Sequence, residues 1–141
     1  MKALLDTDTL SEVFKLKNSN VAARSAAYRA QWRHYTFSSV TVMEVIKGFA
    51  RKRREDHIKR FIAVIDESDV LSLDRTSGEL AGRIYSDLER AGLLIGVADV
   101  MIAAIAIHHG LPLATGNTSD YARIQEVGYS LVLENWRDPM A

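Results

Sequence analysis

Four acidic residues lie where the chain is predicted to pass from one secondary-structure element to the next. Asp6 follows a short apolar segment, Glu44 lies in a predicted helix, Asp99 opens a very apolar helix, and Asp120 follows a strand near the C-terminus. Carboxylate oxygens are hard ligands of the kind that Mg²⁺ and Mn²⁺ prefer. If the fold gathers these side chains, they can hold a divalent cation that activates water and neutralises a phosphate.

Two of these acids have equally simple or simpler structural interpretations. Asp6 is suited to cap the helix that follows it, and its position alone favours neither interpretation. Glu44 lies opposite the apolar face that Val42, Ile46 and Phe49 form on its helix, so periodicity alone favours a solvated side chain.

The sequence favours a functional role more strongly for Asp99 than for Asp120. Asp99 opens a helix that is apolar on all sides over residues 100–107, which predicts a buried helix. The helix dipole favours a carboxylate there, but a charge at the edge of so apolar an element usually needs a partner, so a functional role is favoured. Asp120 follows a polar, turn-forming loop, where a structural role is equally compatible.

Composition restricts the class of protein. With 141 residues, 48% of them hydrophobic and 26% charged, the chain is predicted to be a single globular domain over residues 1–141. Its net charge is 0, so any attraction to nucleic acid must be local. The absence of cysteine excludes disulfides and thiolate zinc sites. No apolar run is long enough for a signal peptide or a membrane span, so we expect a cytoplasmic protein without a membrane partner.

Short apolar segments alternate with amphipathic ones along the whole chain. The pattern predicts strands at 2–5, 35–39, 70–73, 113–115 and 130–133, and helices at 9–16, 20–32, 41–51, 55–67, 76–91 and 98–109. Such alternation predicts an α/β fold with a parallel sheet covered on both faces. Active groups of such folds collect beyond the carboxyl ends of the strands, where Asp6 and the loop 115–120 are expected. Tyr121 and Trp136 are predicted to be packing residues.

A basic segment follows Glu44. Residues 47–60 contain seven lysines and arginines against two acids. A solvated pair of helices is the commoner explanation of such a segment. If it lies beside the acids, however, Arg51, Lys52, Arg53 and Arg54 are candidates to bind phosphates.

Together these residues resemble a PIN-domain ribonuclease, and in particular a VapC-type toxin of a bacterial toxin–antitoxin pair. The segments 4–8, 38–48, 95–104 and 113–121, with the ending 134–136, follow the family's motifs in order and spacing. Asp8 stands where the family usually has Asn. Asn117 stands where many relatives have Asp, so either Asn117 or Asp120 completes the site.

The resemblance implies a PIN-like α/β/α sandwich with a central parallel sheet of about five strands. It further implies an endoribonuclease whose Asp6, Glu44, Asp99 and Asp120 bind Mg²⁺ or Mn²⁺. The resemblance also implies residues that orient these ligands by hydrogen bonds, namely Thr7, Asp8, Thr115 and Asn117. Members of the family generally form homodimers and are neutralised by a VapB-type antitoxin that covers the acidic groove. The motifs do not indicate which RNA is cut.

Two other functions fit part of the pattern. The start of the chain also resembles haloacid-dehalogenase-like phosphatases, in which Asp6 would be a phosphorylated nucleophile and Asp8 a general acid/base. Against this, Leu10 stands where that family has Thr, no lysine follows Lys59, and Glu44 and Asp99 would have no role. The remaining alternative is a non-catalytic binding module with the PIN fold.

Overall fold

A computed structural model describes residues 2–140 of the chain. Strands and helices alternate along it, as predicted. The strands are β1 (Leu4–Leu5), β2 (Thr36–Ser38), β3 (Asp69–Leu71), β4 (Leu113–Ala114) and β5 (Leu133–Glu134). The helices are α1 (Thr7–Lys15), α2 (Ser19–Trp32), α3 (Ser39–Arg51), α4 (Glu55–Asp66), α5 (Arg75–Ala91), α6 (Val97–His108) and α7 (Thr118–Glu126).

The five strands within residues 2–140 form one parallel sheet in the order β3-β2-β1-β4-β5. Strand β1 is central, because Leu4 pairs with Thr36 on one side and with Leu113 on the other. Since all the strands run in one direction, their carboxyl ends meet at a single edge. At this edge the Asp6 N–H donates a hydrogen bond of 3.0 Å to the carbonyl oxygen of Ala114. The residues after β1 and β4 are thereby neighbours.

Apolar clusters cover both faces of the sheet. Leu4 belongs to one cluster and Leu5 to the other, because successive side chains of a strand point to opposite faces. The first cluster includes residues of α5, α6 and α7, and the second includes residues of α1, α2 and α4. These layers confirm the predicted α/β/α sandwich with a parallel sheet of five strands.

Helix α6 is the most buried helix of the first layer. Residues 102–106 are all fully inaccessible to solvent, as expected for a helix that is apolar on all sides. Burying this helix brings Asp99, in its first turn, to the carboxyl edge of the sheet. Within residues 2–140, no helix is both long and apolar enough to cross a membrane.

Two elements differ from the prediction near the C-terminus. Helix α7 is absent from the predicted elements, because polar residues open this helix and only Tyr121 and Ile124 are buried in it. Strand β5 lies about two residues later than expected, since its pairing with β4 places Leu133 beside Leu113 and Glu134 beside Ala114. The single domain over residues 1–141 stays a prediction, and Met1 and Ala141 lie outside the described residues.

Candidate active site

Asp6 is a buried carboxylate at the end of the central strand. Only 3% of the residue is exposed, and its Oδ1 accepts a hydrogen bond of 2.8 Å from the N–H of Thr9. Burial raises the pKa of Asp6 to about 6, although hydrogen bonds from Thr115 and Thr9 counteract part of this increase. The charge of Asp8 raises the pKa slightly further. Asp6 therefore caps α1 and also supplies a carboxylate whose ionisation is costly.

Glu44 is held from α1. The hydroxyl of Thr7 donates a 2.5 Å hydrogen bond to Glu44 Oε1 and lies 3.1 Å from the hydroxyl of Thr41. Glu44 is half-buried. Periodicity correctly places it away from the apolar face of α3, but that other side faces α1 rather than open solvent. The Glu44 side chain is therefore only partly solvated, in contrast to the fully solvated side chain that periodicity alone favours.

Asp99 receives a hydrogen bond from a buried tyrosine. The hydroxyl of Tyr121 on α7 donates to Asp99 Oδ1 at 3.2 Å, and a side-chain carbon at Gly96 would lie 3.4 Å from Asp99 Oδ2. Burial is the largest cause that raises the pKa of Asp99, and the Tyr121 hydrogen bond lowers it. The charges of Glu44, Asp8 and Asp120 raise this pKa further.

Asn117 and Asp120 contact each other. Asn117 Nδ2 donates to Asp120 Oδ2 at 3.0 Å, and the N–H of Asn117 donates to Thr115 Oγ1 at 2.9 Å. Thr115 is fully buried, and it lowers the pKa of Asp6, whose N–H bonds to the carbonyl oxygen of the preceding Ala114. The loop between β4 and α7 thus connects the buried acid Asp6 to the half-buried acid Asp120.

These contacts bring the four predicted acids to one region, which we call the acid edge (Asp6, Glu44, Asp99 and Asp120). Burial raises the pKa of the Tyr121 hydroxyl most, and the negative charges of Asp99, Asp6 and Glu44 raise it further. Acids from three separate segments therefore lie close enough to one hydroxyl to influence its pKa. As placed, however, no three acidic, histidine or cysteine side chains of residues 2–140 form a group that could hold a metal ion. The acid edge gathers the carboxylates without presenting a complete set of ligands.

The predicted supporting residues occupy different positions around this edge. Thr7 bonds to Glu44 and Asn117 to Asp120, whereas Thr115 lowers the pKa of Asp6. Asp8 is exposed, and its charge raises the pKa of both Asp6 and Asp99. Sequence reasoning missed the hydroxyl of Tyr121 as a partner of Asp99, because it predicted only the packing of the aromatic ring.

An apolar groove leads away from Glu44 between α1, α3 and α4. It has a volume of ≈ 620 Å³ and begins at Thr7 and Glu44. Aromatic and aliphatic side chains form much of its wall, and several basic side chains lie among them. The lining residues are Thr7, Leu10, Ser11, Phe14, Lys15, Glu44, Val45, Gly48, Phe49, Lys52, His57, Arg60, Phe61 and Val64.

The basic segment lies at the turn between α3 and α4. Arg51, Lys52, Arg53 and Arg54 are all exposed there. Lys52 lines the apolar groove, whereas Arg54 is paired with Asp56 through two hydrogen bonds of 3.3 Å. The four residues are therefore not equally available to a phosphate.

The protein therefore belongs to the class of α/β proteins that have a cluster of acidic side chains where the strands of a parallel sheet end. A sequence model of the PIN domain matches residues 3–127. The tRNA(fMet)-specific endonuclease VapC of Shigella flexneri is 33% identical, over 88% of this chain and 92% of that protein. Ribonuclease VapC2 of Haemophilus influenzae is 31% identical, over 96% and 98% of the two chains. The solved structure of VapBC-1 from nontypeable Haemophilus influenzae has a TM-score of 0.80 at 25% identity, covering 98% of this chain and 100% of that one.

The chain belongs to the PIN-domain family, among the ribonucleases of the VapC type. The predicted family, fold and enzyme class are confirmed. Because the family match spans all four acids of the acid edge, the phosphatase interpretation of Asp6 is set aside.

Proposed function

We propose that this chain is the toxin of a toxin–antitoxin pair, an endoribonuclease that hydrolyses RNA phosphodiester bonds with Mg²⁺ or Mn²⁺ at the acid edge. One observation supports this proposal most strongly. Asp6 follows β1, Glu44 lies on α3 and Asp99 on α6, yet all three lie around the buried hydroxyl of Tyr121, which donates to Asp99 at 3.2 Å and whose pKa the three charges raise. Carboxylates brought together at such a cost are expected to serve a cation.

The residues present fit a hard divalent cation. The acid edge offers only oxygen ligands, and burial raises the pKa of both Asp6 and Asp99, which a bound cation would reverse. Asp6, Asp99, Glu44 and Asp120 would hold the metal directly or through water. When bound, the metal would supply an activated water and charge neutralisation at the phosphate and the leaving oxygen.

The neighbouring residues orient these ligands. Thr7 holds Glu44, Tyr121 holds Asp99 and Asn117 holds Asp120, each by a hydrogen bond, and Thr115 lowers the pKa of Asp6. Such partners typically change metal affinity or activity by about 10- to 100-fold when they are removed. Their chemistry is therefore part of the proposed site.

RNA would reach the acid edge past the basic segment. Arg51, Lys52 and Arg53 are exposed at the turn after α3, and Lys52 shares the apolar groove with Glu44. Reversing the charges of Lys52 and Arg53 is expected to flatten the salt dependence of RNA binding by ~0.7 for each phosphate that the variant no longer binds. Reversing Arg54, which is already paired with Asp56, is the control with a smaller expected effect. An unchanged slope in the Lys52 and Arg53 variant would contradict a role of these residues in phosphate binding.

The partner is proposed to be a VapB-type antitoxin, as in the solved VapBC relative. The apolar groove adjoins Glu44 and exposes Phe14, so an apolar segment of the antitoxin seated there would cover the acid edge. A homodimer in the cytoplasm is proposed as well. It is consistent with the exposed side chains of Met43 on α3 and Val97 at the start of α6. Light scattering of the purified toxin would measure its mass.

The test of the proposed function compares wild-type protein, freed of antitoxin, with Asp6→Asn. Wild-type protein should cut RNA with Mg²⁺ or Mn²⁺ and stop in EDTA, whereas the variant should not cut. Initiator tRNA is the first substrate to test, because it is the substrate named for the Shigella flexneri relative. Sequencing of RNA ends after induction would identify other substrates. If the wild-type protein cuts no RNA with either metal, a non-catalytic binding module with the PIN fold is the better description.

A further inference from the structure

The C-terminal segment delivers an arginine to the loop that carries Asn117. Trp136 is 3% exposed, and its ring centroid lies 5.4 Å from that of Tyr28, so the segment is anchored in the core. The next residue, Arg137, has its carbonyl held by Asn20 Nδ2 at 2.7 Å. Its backbone is therefore fixed against α2, and its side chain extends toward α1.

The Arg137 side chain connects two parts of the site. Its Nε donates to Glu12 Oε1 at 2.8 Å and to Oε2 at 3.1 Å, and its Nη2 donates to Oε1 as well. Glu12 lies on α1, the helix that Asp6 caps. The guanidinium also lies beside Gly116, where a side-chain carbon would be 3.1 Å from Cζ and 3.2 Å from Nε. A side chain at position 116 would therefore have to displace the guanidinium by a few tenths of an ångström.

Gly116 lies between two residues of the site. On one side, Ala114 accepts a hydrogen bond from the Asp6 N–H and Thr115 lowers the pKa of Asp6; on the other, Asn117 bonds to Asp120. Arg137, held by Glu12 of α1, therefore contacts the segment that lies between the two acids. The hydrogen bonds and charge of Glu12 raise the pKa of Arg137 most, and the charges of Asp8 and Asp6 raise it further.

We propose that Arg137 is a positioning residue for the acid edge: bound to Glu12 and seated on Gly116, it fixes the loop between β4 and α7 against α1. This inference depends on the proposed nuclease function. The planar guanidinium suits both contacts, because it can hold the Glu12 carboxylate with two donors while it lies beside Gly116. An ammonium group can keep only the charge.

The inference predicts a defect in metal binding and turnover without a defect in RNA affinity. Arg137→Ala should raise the Mn²⁺ concentration needed for half of the thermal shift, and should lower kcat, each by about tenfold or more. KM for RNA should stay within about twofold of wild type. Arg137→Lys should remain closer to Arg137→Ala than to wild type, since an ammonium group lacks the planar fork that holds Glu12 and lies beside Gly116.

Glu12 and Gly116 provide independent variants. Glu12→Gln and Gly116→Ala should reproduce the defect of Arg137→Ala, the first by releasing the guanidinium and the second by displacing it. The double variant Gly116→Ala/Arg137→Ala should be little worse than either single variant, because both changes remove the same interaction. The melting temperature in EDTA should change by no more than about 4 °C, since the Glu12–Arg137 pair is partly exposed to solvent.

Arg24 is the matched control. It holds the same C-terminal segment by donating to the carbonyls of Asp138 at 3.2 Å and Pro139 at 3.3 Å, without touching Gly116. Arg24→Ala should therefore keep wild-type metal affinity and kcat. An equal loss in Arg24→Ala and Arg137→Ala would show that only docking of the segment matters, and would overturn the positioning role.

Other results for Arg137→Ala would contradict its positioning role. If Arg137→Ala raises KM and flattens the salt slope of RNA binding by ~0.7, Arg137 binds a phosphate and does not act by positioning. If Arg137→Ala matches the wild-type protein in metal affinity and kcat, the inference is wrong while the nuclease function stands. Wild-type cleavage is measured first, because its absence overturns the proposed function itself.

Discussion

Asp6 and Asp74 have the same local role in opposite electrostatic surroundings. Each residue follows a strand and caps the next helix, and each accepts a 2.8 Å hydrogen bond from the N–H three residues later, that of Thr9 or Ser77. Burial is the largest influence on Asp6 and raises its pKa to about 6. At Asp74 the hydrogen bond from the Ser77 N–H is the largest influence and lowers the pKa.

The position of the preceding strand explains the difference. Asp6 follows the central strand β1 and is 3% exposed, whereas Asp74 lies beyond the edge strand β3 with 47% of its side chain exposed. The charge of Asp8 raises the pKa of Asp6, whereas His108 and His109 lower that of Asp74. A capping aspartate is therefore a functional candidate when the sheet buries it among other acids.

The largest expected effect is on catalysis. Asp6→Asn should lower RNA cleavage by about 100-fold or more, because the amide keeps the size of the side chain and the acceptor for Thr9 but weakens metal binding. Asp74→Asn, the matched change at the other cap, should leave cleavage within about twofold of wild type. Initial rates with Mg²⁺ and Mn²⁺ measure both. Similar rates for the two variants would remove the distinction between the two aspartates.

The next effect is on stabilisation by metal. A ligand that binds only the native state adds about 2.7 kcal/mol at 100 times its dissociation constant. Wild-type protein and Asp74→Asn should both melt at higher temperature with Mn²⁺, and Asp6→Asn should gain much less. Differential scanning fluorimetry of antitoxin-free protein measures the three curves. A full shift in Asp6→Asn would place the cation away from Asp6.

The third effect is the pH dependence of stability without metal. Because the folded-state pKa of Asp6 is raised from 3.8 to about 6, the native state binds more protons than the unfolded state between these values. The wild-type free energy of unfolding should therefore fall as pH rises through this window. In EDTA above this window, Asp6→Asn should be more stable than wild type by on the order of 2 kcal/mol, and at pH 4 the difference should largely disappear.

Asp74 should show the opposite sign. Its lowered pKa contributes stability that is present above the ordinary pKa and is lost as pH falls through it, so Asp74→Asn should gain nothing at neutral pH. Urea unfolding of the two variants at several pH values in EDTA provides the measurement. A stabilised Asp74→Asn, or a destabilised Asp6→Asn at neutral pH, would contradict the assigned directions.

Local patterns in the sequence predict the elements and the acids, but not the environment of each acid. The strand–helix alternation and the wholly apolar α6 can be recognised within short windows. The contrast between Asp6 and Asp74 cannot, because burial depends on strand order, which distant segments decide. Likewise, helix periodicity identifies the apolar face of α3. It does not show that Thr7, 37 positions before Glu44, contacts the opposite face of this helix.

The interactions that sequence reasoning missed are all long-range. The hydroxyl of Tyr121 reaches Asp99 across 22 positions, and Arg137 reaches Glu12 across 125. No periodicity or turn preference reports such pairs. The motifs identify which residues carry the chemistry, whereas the residues that orient them become visible only in the folded chain.

The smallest effect separates Asn117 from Asp120. Asn117 is neutral and donates to Asp120 Oδ2 at 3.0 Å, whereas the charge of Asp120 also raises the pKa of Asp99. Asp120→Asn should therefore lower activity by about tenfold, less than a change at Asp6, and higher Mn²⁺ should restore part of the loss. Asn117→Ala should cost less, because it removes only the residue that orients Asp120. Cleavage rates over a Mn²⁺ titration measure both variants, and a larger loss in Asn117→Ala would place Asn117, and not Asp120, next to the metal.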